Sequence, residues 1–222
     1  MRRIYKGAEP PALAAWKAGW TPAGVAPPWD EIPDPPRSQL RAALEADQRS
    51  LCCYCTGSIG NGAYHIEHFR PRNPYAHLTY EWSNLLASCQ GAGGQDLVKE
   101  RRHCGDPKGN WFEEGFTVDP TRPPVEALFR FPLTGKVAAT KTLDSSRKNA
   151  VETTIKMLNL NAPALIARRE AQLSRANEDA RKLRHGEWCD LYLREQHGRL
   201  QEFWPALRYN YEKLWRDKFA AA

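Results

Sequence analysis

The chain has 222 residues, of which 41% are hydrophobic, with a mean hydropathy of −0.66 and a formal net charge of +6. That length can bury a core in one large or two small domains, and no apolar run is long enough to span a membrane. The opening Met1-Arg2-Arg3-Ile4-Tyr5-Lys6 lacks the apolar stretch of a signal peptide, so a cytosolic protein is expected. In a reducing compartment its six cysteines read as metal ligands or buried thiols rather than disulfides. The basic excess, at a pI of about 9.0, lies mostly after residue 140 and suits a polyanionic partner.

Taken in order, residues 1–36 are rich in proline, with Trp16, Trp20 and Trp29 between the prolines. They read as an extended arm that packs its tryptophans on the body, with one short helix near residues 12–18. Ser38 is the expected cap of a helix reaching about Arg49, with Leu40 and Leu44 at helical spacing. Residues 63–69 read as a short strand and 85–89 as its hairpin partner. A helix is expected after Cys104, and residues 90–103 look like a Gly-rich insertion. Residues 128–131 and 136–140 flank Pro132-Leu133-Thr134-Gly135 as a small hairpin. From Ser145 the periodicity is helical. Asn161 and Pro163 mark the start of a further helix, and a last helical region covers about 187–218 with interruptions near Gly198 and Pro205. The expected fold is α+β and predominantly α. Its parts are the arm (1–36), a metal-stapled core with its leading helix (37–117), a hairpin linker (118–144) and a C-terminal helical region (145–222).

The chemistry concentrates between Cys52 and Lys108. Cys52-x-x-Cys55 is a tight turn whose sulfurs can face one ion, and Cys89 and Cys104 can complete a tetrahedral zinc site. Inside that frame lies Glu67-His68. Hydrolysing a phosphodiester needs a base for water and a divalent cation for the phosphate. His68 has a suitable reference pKa for the base, and Glu67 is a hard oxygen ligand for Mg²⁺ or Mn²⁺. Neighbours on a strand point to opposite faces, so the pair converges only where the strand ends or bends, as the nearby Pro71 allows. Asn84 is placed to tie the intervening loop by side-chain hydrogen bonds. His65 shares a strand face with Glu67, as either a metal ligand or a structural hydrogen-bonding residue. Arg70, Arg72, Arg101, Arg102 and Lys108 are candidate phosphate contacts.

Cys-x-x-Cys, His65-Ile66-Glu67-His68-Phe69-Arg70-Pro71, Trp82-Ser83-Asn84-Leu85-Leu86 and Cys104-Gly105-Asp106-Pro107-Lys108 together resemble an HNH (ββα-metal) endonuclease. Ile4-Tyr5-Lys6-Gly7-Ala8-Glu9-Pro10 and Ile155-Lys156-Met157-Leu158-Asn159-Leu160-Asn161 extend the likeness to the HNH nuclease family that includes PtuB. That protein is the nuclease subunit of Septu-type and some retron anti-phage systems. The resemblance covers roughly residues 1–170. It implies His68 as general base, Glu67 as first ligand of the catalytic ion, Asn84 as the loop-ordering residue, and an ATPase partner of the SMC/ABC class. Such proteins often carry a His or Asn ligand directly after the last cysteine. Here Gly105 stands there, and Asp106, with His103 as the alternative, is the expected replacement. A contrasting expectation is a zinc-knuckle module that binds nucleic acid or a partner without cutting.

Overall fold

A computed structural model describes residues 1–20, 26–89 and 102–219. The expected insertion therefore falls outside the described residues, apart from Arg102 and His103, and so does Arg101. The first helix, α1 (Pro11–Trp20), starts at a proline, which a first helical turn accepts because its N–H would have no partner there. The second, α2 (Pro36–Asp47), starts two residues before Ser38. Ser38 is not the cap: its N–H donates to the Asp34 carboxylate at 3.1 Å, so Asp34 satisfies the first turn. Leu40 and Leu44, one turn apart on α2, are fully buried.

The strands β1 (Tyr64–His68) and β2 (Leu85–Cys89) pair antiparallel, in register from Tyr64 opposite Cys89 to His68 opposite Leu85. All five residues of β2 are buried, whereas β1 buries Tyr64 and Glu67 and leaves the others partly open. After the undescribed stretch comes α3 (Gly105–Lys108), a single turn. A second two-stranded sheet follows, β3 (Phe129–Arg130) with β4 (Ala138–Ala139). Then come α4 (Ser145–Met157), capped by Asp144 on the Arg147 N–H, α5 (Pro163–Asp179), α6 (His185–Tyr192) and α7 (Trp204–Phe219). Pro205 sits in the first turn of α7 instead of interrupting a helix.

One apolar cluster draws on the arm, the central hairpin, the second sheet and the C-terminal helices. Met1, Ile4 and Leu13 from the arm join Leu44, Leu85 and Leu86 from the centre, Val151 and Leu165 from the C-terminal helices, and Phe203 just before α7. The arm is thus part of the core. Its hold on β2 is specific: Lys6 Nζ donates to the Leu85 carbonyl at 2.8 Å and lies over the Trp82 ring, while Trp82 Nε1 donates to the Gly7 carbonyl at 2.8 Å.

The end of α4 has a comparable task. The Leu158 carbonyl accepts from the Cys104 N–H at 2.8 Å, and Asn159 Nδ2 donates to the Arg102 carbonyl at 2.8 Å. Asn161, expected to cap α5, instead holds both the N–H and the carbonyl of Val137, and Ala162 takes the cap position. Side-chain amides serve a cap or a distant backbone equally well, and the approach of β4's leading loop decides it. Arg169 is buried on α5 and donates to the carbonyls of Gly135 and, at 3.3 Å, Leu160. Arg169→Leu would leave both carbonyls without that donor. It is expected to cost roughly 2–4 kcal/mol in chemical denaturation while keeping the far-ultraviolet spectrum of the fold.

Candidate active site and thiol cluster

The four sulfurs of Cys52, Cys55, Cys89 and Cys104 lie within 4.8 Å of one another, and none is in a disulfide. Three elements deliver them: the turn after α2, the last residue of β2, and the residue before α3. Backbone N–H groups of Gly57 and Cys89 point at Cys55 Sγ and Cys52 Sγ, each at 3.3 Å, as groups that stabilise thiolate charge do. Burial pushes the Cys52 thiol up, but hydrogen bonds from Cys104, Cys53, Cys55 and Cys89 outweigh it and hold Cys52 low. Burial and that neighbouring negative charge push Cys104 up. The four sulfurs are a donor set suited to a structural metal ion. Cys104 itself has φ +66°, a conformation costly for a side-chain-bearing residue and held by the Leu158 carbonyl.

His103 belongs to this cluster. Its Nδ1 is 3.2 Å from Cys104 Sγ and 3.7 Å from Cys89 Sγ, in a ring almost wholly buried. It is therefore not at Glu67, where the alternative to Asp106 would place it. Asp106 is exposed, and its carboxylate joins no three-donor group with His65 and Glu67 among the described residues.

Glu67 is the buried centre of a second cluster. Lys108 Nζ is 2.7 Å from Oε1 and the Tyr54 hydroxyl donates to the same oxygen at 3.1 Å. His65 Nε2 is 3.2 Å from Oε2. Burial alone would push the Glu67 carboxyl up, but the hydrogen bond from His65 and the Lys108 charge bring it below its ordinary value. Burial likewise opposes protonation of His65, and Glu67 reverses it, raising His65 above its ordinary value. Lys108 is only 2% exposed and also donates to the His68 carbonyl at 3.0 Å, so it is a clamp on β1 and has no free face for phosphate.

His68 ends β1. Its Nε2 is 3.0 Å from the Thr79 carbonyl, and the Trp29 ring meets it edge-on at 4.4 Å. A carbonyl can only accept, so Nε2 carries the proton and Nδ1 keeps its lone pair. Asn84 braces the loop between the strands: Oδ1 accepts from Arg70 N at 2.7 Å, and Nδ2 donates to the carbonyls of Arg70 and Leu78. Arg70 is half-buried over Phe112 and 3.4 Å from Glu114, Arg72 reaches over Trp29, and Arg102 is held through its carbonyl by Asn159. A cavity of about 230 Å³ beside β1 is lined by Trp29, Arg37, Arg41, Tyr64 and His65. A larger one, about 430 Å³ between Phe131 and Tyr209, lies with β3 and α7 and borders none of these groups. Sequence reading missed Tyr54, Thr79 and Trp29, since a phenol, a backbone carbonyl and an arm residue leave no spacing signal.

No family model matches the chain. Curated proteins do, and both are named as HNH endonucleases. The chain is 31% identical over 219 residues to the "Retron Ec83 putative HNH endonuclease" of Escherichia coli, covering 82% of this chain and 83% of that protein. It is 28% identical over 142 residues to the "Retron Vc95 putative HNH endonuclease" of Vibrio cholerae serotype O1 biovar El Tor. That second match takes in 61% of this chain and 64% of the relative, a little under two thirds. The chain belongs to the HNH endonuclease family that these retron proteins represent.

The state of His68 has a measurable consequence. Burial, reinforced by the Arg72 charge and only partly opposed by the Thr79 carbonyl, lowers its pKa from 6.5 to about 4. As pH falls below 6.5 the unfolded chain takes this proton before the folded one does, so stability is lost on acidification. Between pH 7.5 and 5.5 the loss attributable to His68 is expected to be roughly 1 kcal/mol, and His68→Gln should abolish it. Urea titrations of the two proteins without added divalent ion check this. His65 titrates in the opposite sense, but in both proteins.

Proposed function

We propose that the chain is a metal-dependent HNH endonuclease that hydrolyses DNA phosphodiesters, with β1, β2 and α3 forming its ββα-metal core. The observation that carries this reading is the end of β1. There a neutral His68, its Nε2–H engaged by Thr79, adjoins a buried ionised Glu67 whose Oε2 is held by the half-exposed His65 and not by Lys108 and Tyr54, which makes it the oxygen a cation can reach. His68 Nδ1 removes a proton from the attacking water. The new water oxygen–phosphorus bond forms as the phosphorus–3′ oxygen bond breaks, and the 3′ oxygen takes a proton from solvent water, leaving 5′-phosphate and 3′-hydroxyl ends. A divalent ion, Mg²⁺ or Mn²⁺, supplies Lewis-acid stabilisation of the phosphate and leaving oxygen when bound at Glu67. Lys108 and Tyr54 fix the carboxylate, and Asn84 fixes the loop that carries Thr79. Arg70, Arg72 and Arg102, with the cavity beside His65, supply the cationic and aromatic path for the nucleic-acid strand.

The structural metal is zinc. The Cys55 and Cys89 sulfurs are 3.7 Å apart. A tetrahedral edge for bonds of about 2.3 Å is roughly 3.8 Å. By likeness to the retron proteins and the PtuB family, the chain is the nuclease effector of a cytoplasmic anti-phage system and works with an SMC/ABC-type ATPase.

A plasmid-nicking assay with Mg²⁺ or Mn²⁺, with and without the co-expressed ATPase, tests the enzyme. His68→Ala should keep fold and zinc but lose at least about a hundredfold in cleavage. Undiminished cutting by that variant, or binding without cutting by the wild type under every condition, would replace this reading by the non-catalytic zinc module. Elemental analysis should find one zinc per chain and none in Cys55→Ala, which should also fold poorly.

A further inference from the structure

Gly105 has ordinary helical φ, so its lack of a side chain answers to space and not to backbone conformation. A Cβ placed there would fall 2.5 Å from Glu67 Oε2 and closer still to His65 Nε2. The first position of α3 is therefore emptied for the His65 ring, which comes across from β1. Glu67 Oε1 is occupied by Lys108 and Tyr54, so Oε2 is the oxygen left for another partner, and it faces His65 Nε2. His65 and Glu67 are two residues apart on one strand face, which aims both side chains the same way. Their donor atoms are 3.2 Å apart. Adjacent donors in an octahedron with bonds near 2.1 Å stand roughly 3 Å apart. Glu67 is 8% exposed at its side chain, but His65 is 35% exposed, so the pair opens to solvent and to substrate on the His65 side.

We infer that His65, seated in the space Gly105 leaves open, is the second protein ligand of the catalytic divalent ion, together with Glu67 Oε2. The inference rests on Glu67 being a ligand, as proposed above. Two protein donors leave the remaining positions to water and to phosphate oxygens. One imidazole with one carboxylate suits Mn²⁺, which accepts nitrogen more readily than Mg²⁺ does.

Manganese titration of the zinc-loaded full chain, followed by calorimetry and pulsed electron paramagnetic resonance, tests this without reference to cleavage. The wild type should bind one Mn²⁺ with nitrogen hyperfine coupling from a coordinated imidazole. His65→Ala should lose that coupling and bind at least about tenfold more weakly, with zinc content unchanged. Gly105→Ala, which removes no donor, should weaken Mn²⁺ similarly by expelling the ring, and it serves if His65→Ala folds poorly. Glu67→Ala separates the two levels. If it abolishes binding while His65→Ala and Gly105→Ala titrate like the wild type, His65 is not a ligand and the nuclease reading stands. If the wild type binds no Mn²⁺, or Glu67→Ala binds it undiminished, both fail.

Discussion

Four buried sulfurs within 4.8 Å of one another are an electrostatic constraint before they are anything else. Four thiolates could not share that space, and four thiols would waste the N–H groups aimed at two of them. A divalent cation would resolve the conflict, with ligands drawn from three chain segments. The turn at Cys52 follows α2, Cys89 closes β2, and Cys104 immediately precedes α3. Where the sulfurs converge therefore sets where α3 begins, and hence where Gly105 and Lys108 stand relative to Glu67.

Burial of Glu67 follows from that placement and is offset locally. A carboxylate at 7% exposure is costly unless it is paired, and Lys108, Tyr54 and His65 supply three donors from three elements. Lys108 joins the carboxylate to the His68 carbonyl, so the two residues at the end of β1 are held as one unit. The segments outside the centre act on the same scaffold. Lys6 and Gly7 fasten the start of β2, and Leu158 and Asn159 fasten the approach to Cys104. These are the segments whose sequences extend the family likeness, and their side chains and carbonyls brace the centre without entering it.

The thiol frame was legible in the sequence because cysteine is rare and its spacing is nearly its function. The hairpin was legible too, since two short strands bounded by turn residues leave few alternatives. The surroundings of Glu67 were not. Lys108 reads as a surface cation until the fold shows which side of α3 faces inward. His103 and Asp106 both lie within two residues of Cys104, yet one ring is buried among sulfurs and the other side chain lies in solvent. Asn161 offers the same amide to a helix cap or to Val137, and only the path of the hairpin decides between them. These surroundings have one thing in common: burial and approach depend on residues tens of positions away, which local patterns do not encode.

The contact between Gly105 and His65 also constrains how such a chain can vary. Any side chain at position 105 collides with the imidazole from position 65, and removing the imidazole leaves Oε2 of Glu67 without its neighbour. Neither position can change alone without disturbing the pair, although forty residues of chain separate them. Among relatives the two are expected to co-vary: glycine after the last cysteine with histidine two before the glutamate, or a larger residue after the cysteine with something small on the strand.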